Sequence, residues 1–318
     1  MSANSHTSHI VQSLFVNLVI AILKLVGAVF TKSGSMLAEG IHSCADCCNQ
    51  ALLLWGVREG QKPADDKHPL GYGRNVYFWS FMVALLLFTG GGVFSVYEGI
   101  HKLQHPEPVQ HVGWAIGILS FSLLLESWAT YGNIKTINTR RGSKPFFRFL
   151  KETKDSDLVV VFGENSAAVL GLAIALASIA ITMVTGDARA DAAGSLLVGV
   201  VLIAVAVFLA VEVKSLLVGE SADSEINLAA EDLAIADPKI HEVTSCITMQ
   251  QGPGEVLVAL KIVCAPGLTA LEVSTLINEF EARLRGKCPE AKWIYVEPDL
   301  SMVGETSTSA RATAAVSS

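Results

Sequence analysis

Charge is what this chain has least of. Only 17% of its 318 residues are Asp, Glu, Lys or Arg, against about 25% in an ordinary soluble domain. A fold with its whole surface in water is excluded by that shortfall. A basic excess is also missing: the net charge of −7 argues against nucleic acid as a partner, which asks for a basic face. The first ten residues, MSANSHTSHI, carry neither a basic stretch nor a small-residue cleavage site, so no signal peptide is expected. The last residues show no lipidation motif. There is no His-Glu-x-x-His, no nucleophile elbow and no Walker-type loop, so the chain is not expected to be an enzyme or to hold a resident cofactor. Cysteine is sparse, six in all. Cys44-x-x-Cys47 has redox or zinc spacing but no second pair beside it, and Cys44, Cys47 and Cys48 are expected to be small packing residues.

What is abundant is apolar sequence, 51% of the chain, in runs of about 20 or more residues, long enough to span a bilayer. The expected fold is an α-helical membrane protein with six spans and a small α+β domain behind them. The spans are expected at about His9 to Thr31, Met36 to Val57, Val76 to Ile100, Val112 to Asn133, Leu158 to Val184 and Ala192 to Val218. The domain plan is a short tail at 1–8, a transport domain at 9–220, a soluble domain at 221–301 and a disordered tail at 302–318. With the N-terminus inside, the inner loops hold eleven Lys or Arg: Arg58, Lys62, Lys67, Arg74 and the seven of the stretch from Lys135 to Lys154. The outer loops hold three, Lys32, Lys102 and Arg189. By the positive-inside rule both termini are cytoplasmic, and a bacterial-type plasma membrane is the expected host. The basic stretch has no histidine, so it reads as an anchor on anionic lipid rather than a metal collector.

Inside the second apolar run lies Glu39-Gly-Ile-His42-Ser-Cys-Ala-Asp46-Cys-Cys-Asn-Gln50. At 100° per residue Glu39, His42, Asp46 and Gln50 fall within an arc of roughly 80°, one polar stripe. An ionisable group at that depth costs roughly 2.5–3.5 kcal/mol on insertion scales and is kept where it lines a cavity, binds an ion or relays protons. A histidine and a carboxylate at i, i+4 are spaced to hold one metal ion from one helix face. Lys24 in the first run either snorkels or pairs with an acidic group inside the bundle, and Glu126 in the fourth, read as an interior polar partner, is one candidate. Glu39 and Gln50 either line a path or bond to other helices. Gly90-Gly91-Gly92 in the third run allows close helix approach or a flexible point.

From about Ser221 the texture changes. Glu225 to Ala236 and Leu268 to Lys287 have helical periodicity, while His241 to Gln251, Glu255 to Cys264 and Lys292 to Pro298 read as strands. The second helix is expected to bury Leu271, Leu276/Ile277, Phe280 and Leu284. The order αββαβ resembles a small ferredoxin-like domain.

Six runs, this tail, and two motifs together resemble the cation diffusion facilitator family of metal/proton antiporters, in its zinc-transporter-like branch. The motifs are Ser33-Gly-Ser-Met-Leu-Ala-Glu39-Gly-Ile-His42-Ser-Cys-Ala-Asp46 and Asp65-Asp66-Lys-His68-Pro-Leu-Gly71-Tyr-Gly73-Arg74. The resemblance implies a homodimer that exports divalent cations, zinc first, in exchange for protons. It implies a transport site of two ligands from the second helix, mapping onto His42 and Asp46, and two from the fifth. The fifth helix departs from the usual His/Asp-x-x-x-Asp: the Asp position falls at Asn165 or Glu164, and four residues earlier stands Val161 or Val160. Glu164 is the expected third ligand, with Asn165 as a neutral oxygen donor. His42, Asp46 and Glu164, with Asn165 or water as the fourth, suit zinc, and with Glu39 or Glu126 joining the mixture would also suit manganese, iron or cobalt. Glu39, Gln50 and Glu126 are otherwise path or supporting residues. A loop site would use Asp65 and His68, with plain loop capping as the other reading. The tail site of some relatives is expected to be degraded here, since His241 is followed by Lys261, Tyr295 and Glu297. The rival functions are a passive cation channel and a metal sensor that transports nothing.

Overall fold

In a computed structural model the described residues are 3–106 and 108–300, with side chains from Asn17 onward except that of Asp157. The expected tail at 302–318 lies outside them. The described chain begins with the helices α1 (Ala3–Thr31), α2 (Gly34–Gly60), α3 (Asn75–Leu86), α4 (Phe94–Gln104), α5 (Val112–Arg140), α6 (Phe146–Glu152) and α7 (Ser156–Thr185). They are followed by α8 (Arg189–Val218), α9 (Ser224–Ile235), β1 (Ile240–Gly252), β2 (Glu255–Cys264), α10 (Ala270–Lys287) and β3 (Ala291–Asp299). The backbone is helical from Ala3, within the stretch read as a tail at 1–8. The basic stretch contains the short helix α6, which its sequence did not announce.

Among the described residues four helical segments are long and apolar enough to cross a membrane: Asn75–Gln104, Val112–Arg140, Leu158–Thr185 and Arg189–Val218. The apolar part of α1 with described side chains, Asn17–Thr31, is shorter. α2 stands outside that class although it has 27 residues, because Glu39, His42, Asp46, Asn49 and Gln50 interrupt its apolar character. The exposed surface of these helices is itself apolar, as at Trp114, Leu124 and Trp128 of α5 and Leu197, Val200 and Val211 of α8. This is what lipid rather than water calls for.

α3 and α4 are one continuous run joined by a π-helical turn, Leu87–Val93. The glycine triplet lies within that turn. A Cβ at Gly92 would press on the Ile203 side chain of α8, so glycine here permits close approach of α8. The core under it is Leu87, Val198, Leu202 and Leu209. α2 starts at Ser33, whose hydroxyl accepts from the Met36 amide, and α7 starts at Asp155, whose carboxylate accepts from the Leu158 amide at 3.2 Å. Both are ordinary N-caps that satisfy amides with no intrahelical partner.

The chain divides between Val218 and Gly219 into two compact units. In the second, β2 is the centre of a three-stranded sheet, antiparallel to β1 and parallel to β3. The strand alternation expected from sequence is visible in β2, where Val256, Val258, Leu260 and Ile262 are buried at every second position. Against them pack Ile226 and Ala230 of α9 and Leu276, Phe280 and Leu284 of α10. Leu271, expected on that face, is exposed. It sits in the first turn, off the row that Leu276, Phe280 and Leu284 form at i, i+4, i+8. α10 is fixed at its start by a reciprocal cap between Thr269 and Glu272.

Candidate metal centre

α2 supplies the site. Glu39, His42 and Asn49 are fully buried, and the Asp46 side chain is 13% exposed. His42 Nδ1 stands 3.6 Å from Asp46 Oδ1, one turn along the helix, as i, i+4 spacing requires. Across from them α7 presents Glu164, 7% exposed, whose Oε1 accepts from Asn49 Nδ2 at 2.5 Å. The backbone carbonyl of Asn165, one position on, accepts from Thr130 Oγ1 of α5 at 3.4 Å. Glu126 of α5, half-buried, and Glu164 both lie within electrostatic reach of Asp46. Thus His42 and Asp46 come together, while Glu164 is held by Asn49. Among the described residues no three His, Cys, Asp or Glu side chains close on a single point as a finished metal cage would.

The arrangement is distinguished by what it leaves unpaired. Glu39 Oε1, both ring nitrogens of His42, Asp46 Oδ1, Asn49 Oδ1 and Gln50 Oε1 are buried without a hydrogen-bond partner. Buried polar atoms are rarely left so, because each forfeits about 1–3 kcal/mol of solvation. All six lie on one helix within twelve residues. A neutral imidazole nitrogen and carboxylate oxygens are the donors that a borderline divalent cation such as zinc takes.

Lys24 corrects one expectation. Its partner is Glu39, with Nζ to Oε2 at 3.3 Å, and not Glu126, which acts on it only at longer range. Nζ also donates to Ser43 Oγ at 2.8 Å. The two helices are close enough for this because α2 has glycine at position 40, where a Cβ would collide with the Leu25 side chain. On its other side Glu39 faces Gly171 of α7, where a Cβ would strike Oε1. Lys24, Glu39 and Ser43 are all buried.

Two residues that the sequence did not single out matter here. Asn49 lies at i+3 from Asp46, so its place on the stripe was open to the same wheel reading. Asp191 had no such signal. It is a buried carboxylate from the start of α8 that accepts from Ser33 Oγ at 2.7 Å and from the Gly34 amide at 2.6 Å, and from the Ser35 hydroxyl as well. It therefore ties the N-terminus of α2, the helix carrying the stripe, to α8, where the helix dipole favours a negative charge.

A family model, that of the cation efflux transmembrane domain, matches residues 10–218. The chain belongs to the cation efflux family. Among curated members it is similar to the human proton-coupled zinc antiporter SLC30A9, mitochondrial, at 32% identity over 235 residues, 73% of this chain and 41% of that protein. Metal tolerance protein C4 of Arabidopsis thaliana is 29% identical over 245 residues, 76% of this chain and 53% of that one. A probable cation efflux system protein of Mycobacterium tuberculosis is 33% identical over 112 residues, about a third of each. The chain thus spans about half or less of the length of these relatives. The family match covers the stripe, Glu164 and Asp191, and with the apolar helices it makes this an integral membrane protein.

The loop between α2 and α3 lies within the same match. Asp65 accepts from the amides of Lys67 and His68 at 3.0 and 2.7 Å and from Tyr72 Oη at 2.7 Å. The Tyr72 hydroxyl, with those amides, holds the Asp65 carboxyl below the usual carboxylate range. His68 Nδ1 is 3.4 Å from the same carboxylate and its ring packs on Tyr72. Both oxygens of Asp65 thus take part in closing the loop, and among the described residues no third His, Cys, Asp or Glu stands with Asp65 and His68. In the second unit Lys261 pairs with Glu297 at 3.2 Å across the parallel strands, and His241 is exposed.

Proposed function

We propose that this protein is a secondary transporter that exports divalent metal cations from the cytoplasm in exchange for protons. Zinc is the first candidate, with manganese, iron or cobalt behind it. The observation that carries the reading is the row of buried, unpartnered nitrogen and oxygen atoms on α2 from Glu39 to Gln50. His42 and Asp46 are the ligands of one helix face. Glu164, on release from Asn49, is the third, and Asn165 beside it is a neutral oxygen donor. Glu39, Gln50 and Glu126 line the path. The names of the human and plant relatives, a zinc antiporter and a metal tolerance protein, support the cargo.

The chemistry of coupling follows from the donors. A metal ion needs its ligands deprotonated, so its arrival displaces protons and its departure readmits them. Histidine and carboxylate side chains can hold either. A site that faces the cytoplasm with metal and the far side with protons runs as an antiporter. The membrane arrangement we assign has six spans, formed by α1, α2, the α3–α4 run, α5, α7 and α8, with both termini cytoplasmic. The expected bacterial-type plasma membrane supplies the proton gradient, as would the mitochondrial membrane for which the human relative is named. The second unit is assigned to homodimer formation, as the family resemblance implies.

Zinc and proton fluxes in proteoliposomes test this. The expected result is zinc accumulation against its own gradient when an opposing proton gradient is imposed, and its loss in Asp46→Ala. Flux that only runs downhill, whatever the pH difference, would make the protein a channel. Zinc binding without flux would make it a sensor.

A further inference from the structure

A lysine buried to 0% exposure within a transmembrane unit is a large commitment, and export of a cation does not by itself call for one. Lys24 lies on α1, outside the proposed ligand set, yet its ammonium reaches Glu39 and Ser43 on the two sides of His42 in sequence. Glu39 is three residues before His42, so both project from the same face of α2. Glu39 is therefore the one further carboxylate that this helix could offer to an ion held by His42 and Asp46. It is held elsewhere: Oε2 is on the Lys24 ammonium, and Oε1 is turned to the gap above Gly171 of α7. Oε1 has no hydrogen-bond partner, so the lysine alone fixes the group.

We propose that Lys24 sets the metal selectivity of the transport site by withholding Glu39 from the ion. With Glu39 withheld the site offers one imidazole, two carboxylates and an amide, a low-coordination set suited to zinc. With Glu39 released it gains a third carboxylate and the higher coordination number, rich in oxygen, that manganese takes. Removing the lysine charge also removes a fixed positive charge that acts on His42 and Asp46, which strengthens the binding of any cation. The signature of withholding is therefore a change in the ratio between two metals rather than in the affinity for both. Lys24 on this account is a positioning residue and touches no metal. The inference rests on the transport-site reading of His42, Asp46 and Glu164.

The test uses the full chain in nanodiscs. Manganese binding is read by electron paramagnetic resonance and zinc by its displacement of the bound manganese, in wild type, Lys24→Met, and Lys24→Met/Glu39→Gln. Lys24→Met is expected to shift the affinity ratio toward manganese by about tenfold, the scale of an altered supporting shell. The double variant, which has neither the charge nor the extra carboxylate, is expected to return to within about threefold of the wild-type ratio. An unchanged ratio in Lys24→Met overturns the proposal. So does a shift that persists in the double variant, since packing and not Glu39 would then have caused it. If Lys24→Met does not fold, Lys24→Gln keeps a donor for Ser43 while giving up the charge and carries the same expectation. Wild type that binds neither metal would sink the transport-site reading itself, an outcome separate from any of these.

Discussion

The stripe of α2 and the sheet of the second unit treat polar groups in opposite ways. Along the stripe five residues carry buried atoms with no partner, while the second unit has one such atom among its described side chains, Gln251 Nε2. There the charges are matched: Arg283 with Asp237 at 2.6 Å and Lys261 with Glu297 at 3.2 Å, besides the Lys292–Glu255 pair. A structure meant only to persist satisfies its buried polar groups. One that must bind and release an ion keeps donors in reserve at a cost in stability. The difference is what the proposed transport site rests on, and it gives the second unit the character of a packed domain.

The largest expected effect breaks the comparison if it fails. Asp46→Ala should abolish metal transport while leaving thermal unfolding of the purified protein unchanged or raised, because the carboxylate removed has a buried oxygen, Oδ1, with no hydrogen-bond partner. A marked fall in melting temperature would mean that the stripe is structural after all. Next, Phe280→Ala should destabilise the second unit by about 3–5 kcal/mol through the cavity it leaves under β2, read as faster hydrogen exchange confined to residues 219–300. If the unit is only a scaffold, residual transport per folded molecule should be retained. Asp191→Ala is the third. It strips the Gly34 amide and two seryl hydroxyls of their acceptor and should cost about 1–3 kcal/mol, seen as loss of protection in the first turn of α2. Retention of that protection would show that Ser33 alone caps the helix.

The smallest effect is a pH test in the second unit. Burial pushes the Asp237 carboxyl up, but the Lys239 amide and the Arg283 guanidinium more than reverse this and hold it below its usual value. A group whose folded pKa lies below that of a free carboxylate, about 3.9, stabilises the fold above that pH. The stabilisation is lost as pH falls through the folded value. Arg283 is 41% exposed, and water screens the pair. Asp237→Asn should therefore lower stability by about 1 kcal/mol at pH 7, with the gap to wild type closing below about pH 4. A gap independent of pH would assign the effect to packing.

Much of this protein was readable in one dimension. Apolar runs, a change of texture near Ser221 and glycine-proline punctuation at 252–254 marked the elements, because hydrophobic periodicity is local. His42 and Asp46 were readable as a pair for the same reason: i, i+4 spacing on a helix is a property of sequence. Residues whose meaning depends on another helix were not. Lys24 pointed to the wrong acid, since nothing in the sequence says that Gly40 lets α1 approach α2 closely enough for Glu39. Asp191 looked like a loop residue, 157 positions from the Gly34 amide that it caps.

The sequence by itself determined that this chain is built for a membrane, that one of its helices carries a polar face, and that His42 and Asp46 stand one turn apart on it. The tertiary structure decided the rest: that Asn49 holds Glu164, that Asp191 anchors the start of α2, and that Lys24 restrains Glu39. The reason is range. Helical periodicity is set by neighbours a few residues away, but which buried charge meets which is settled only when the helices pack and each group must find its partner among those within reach.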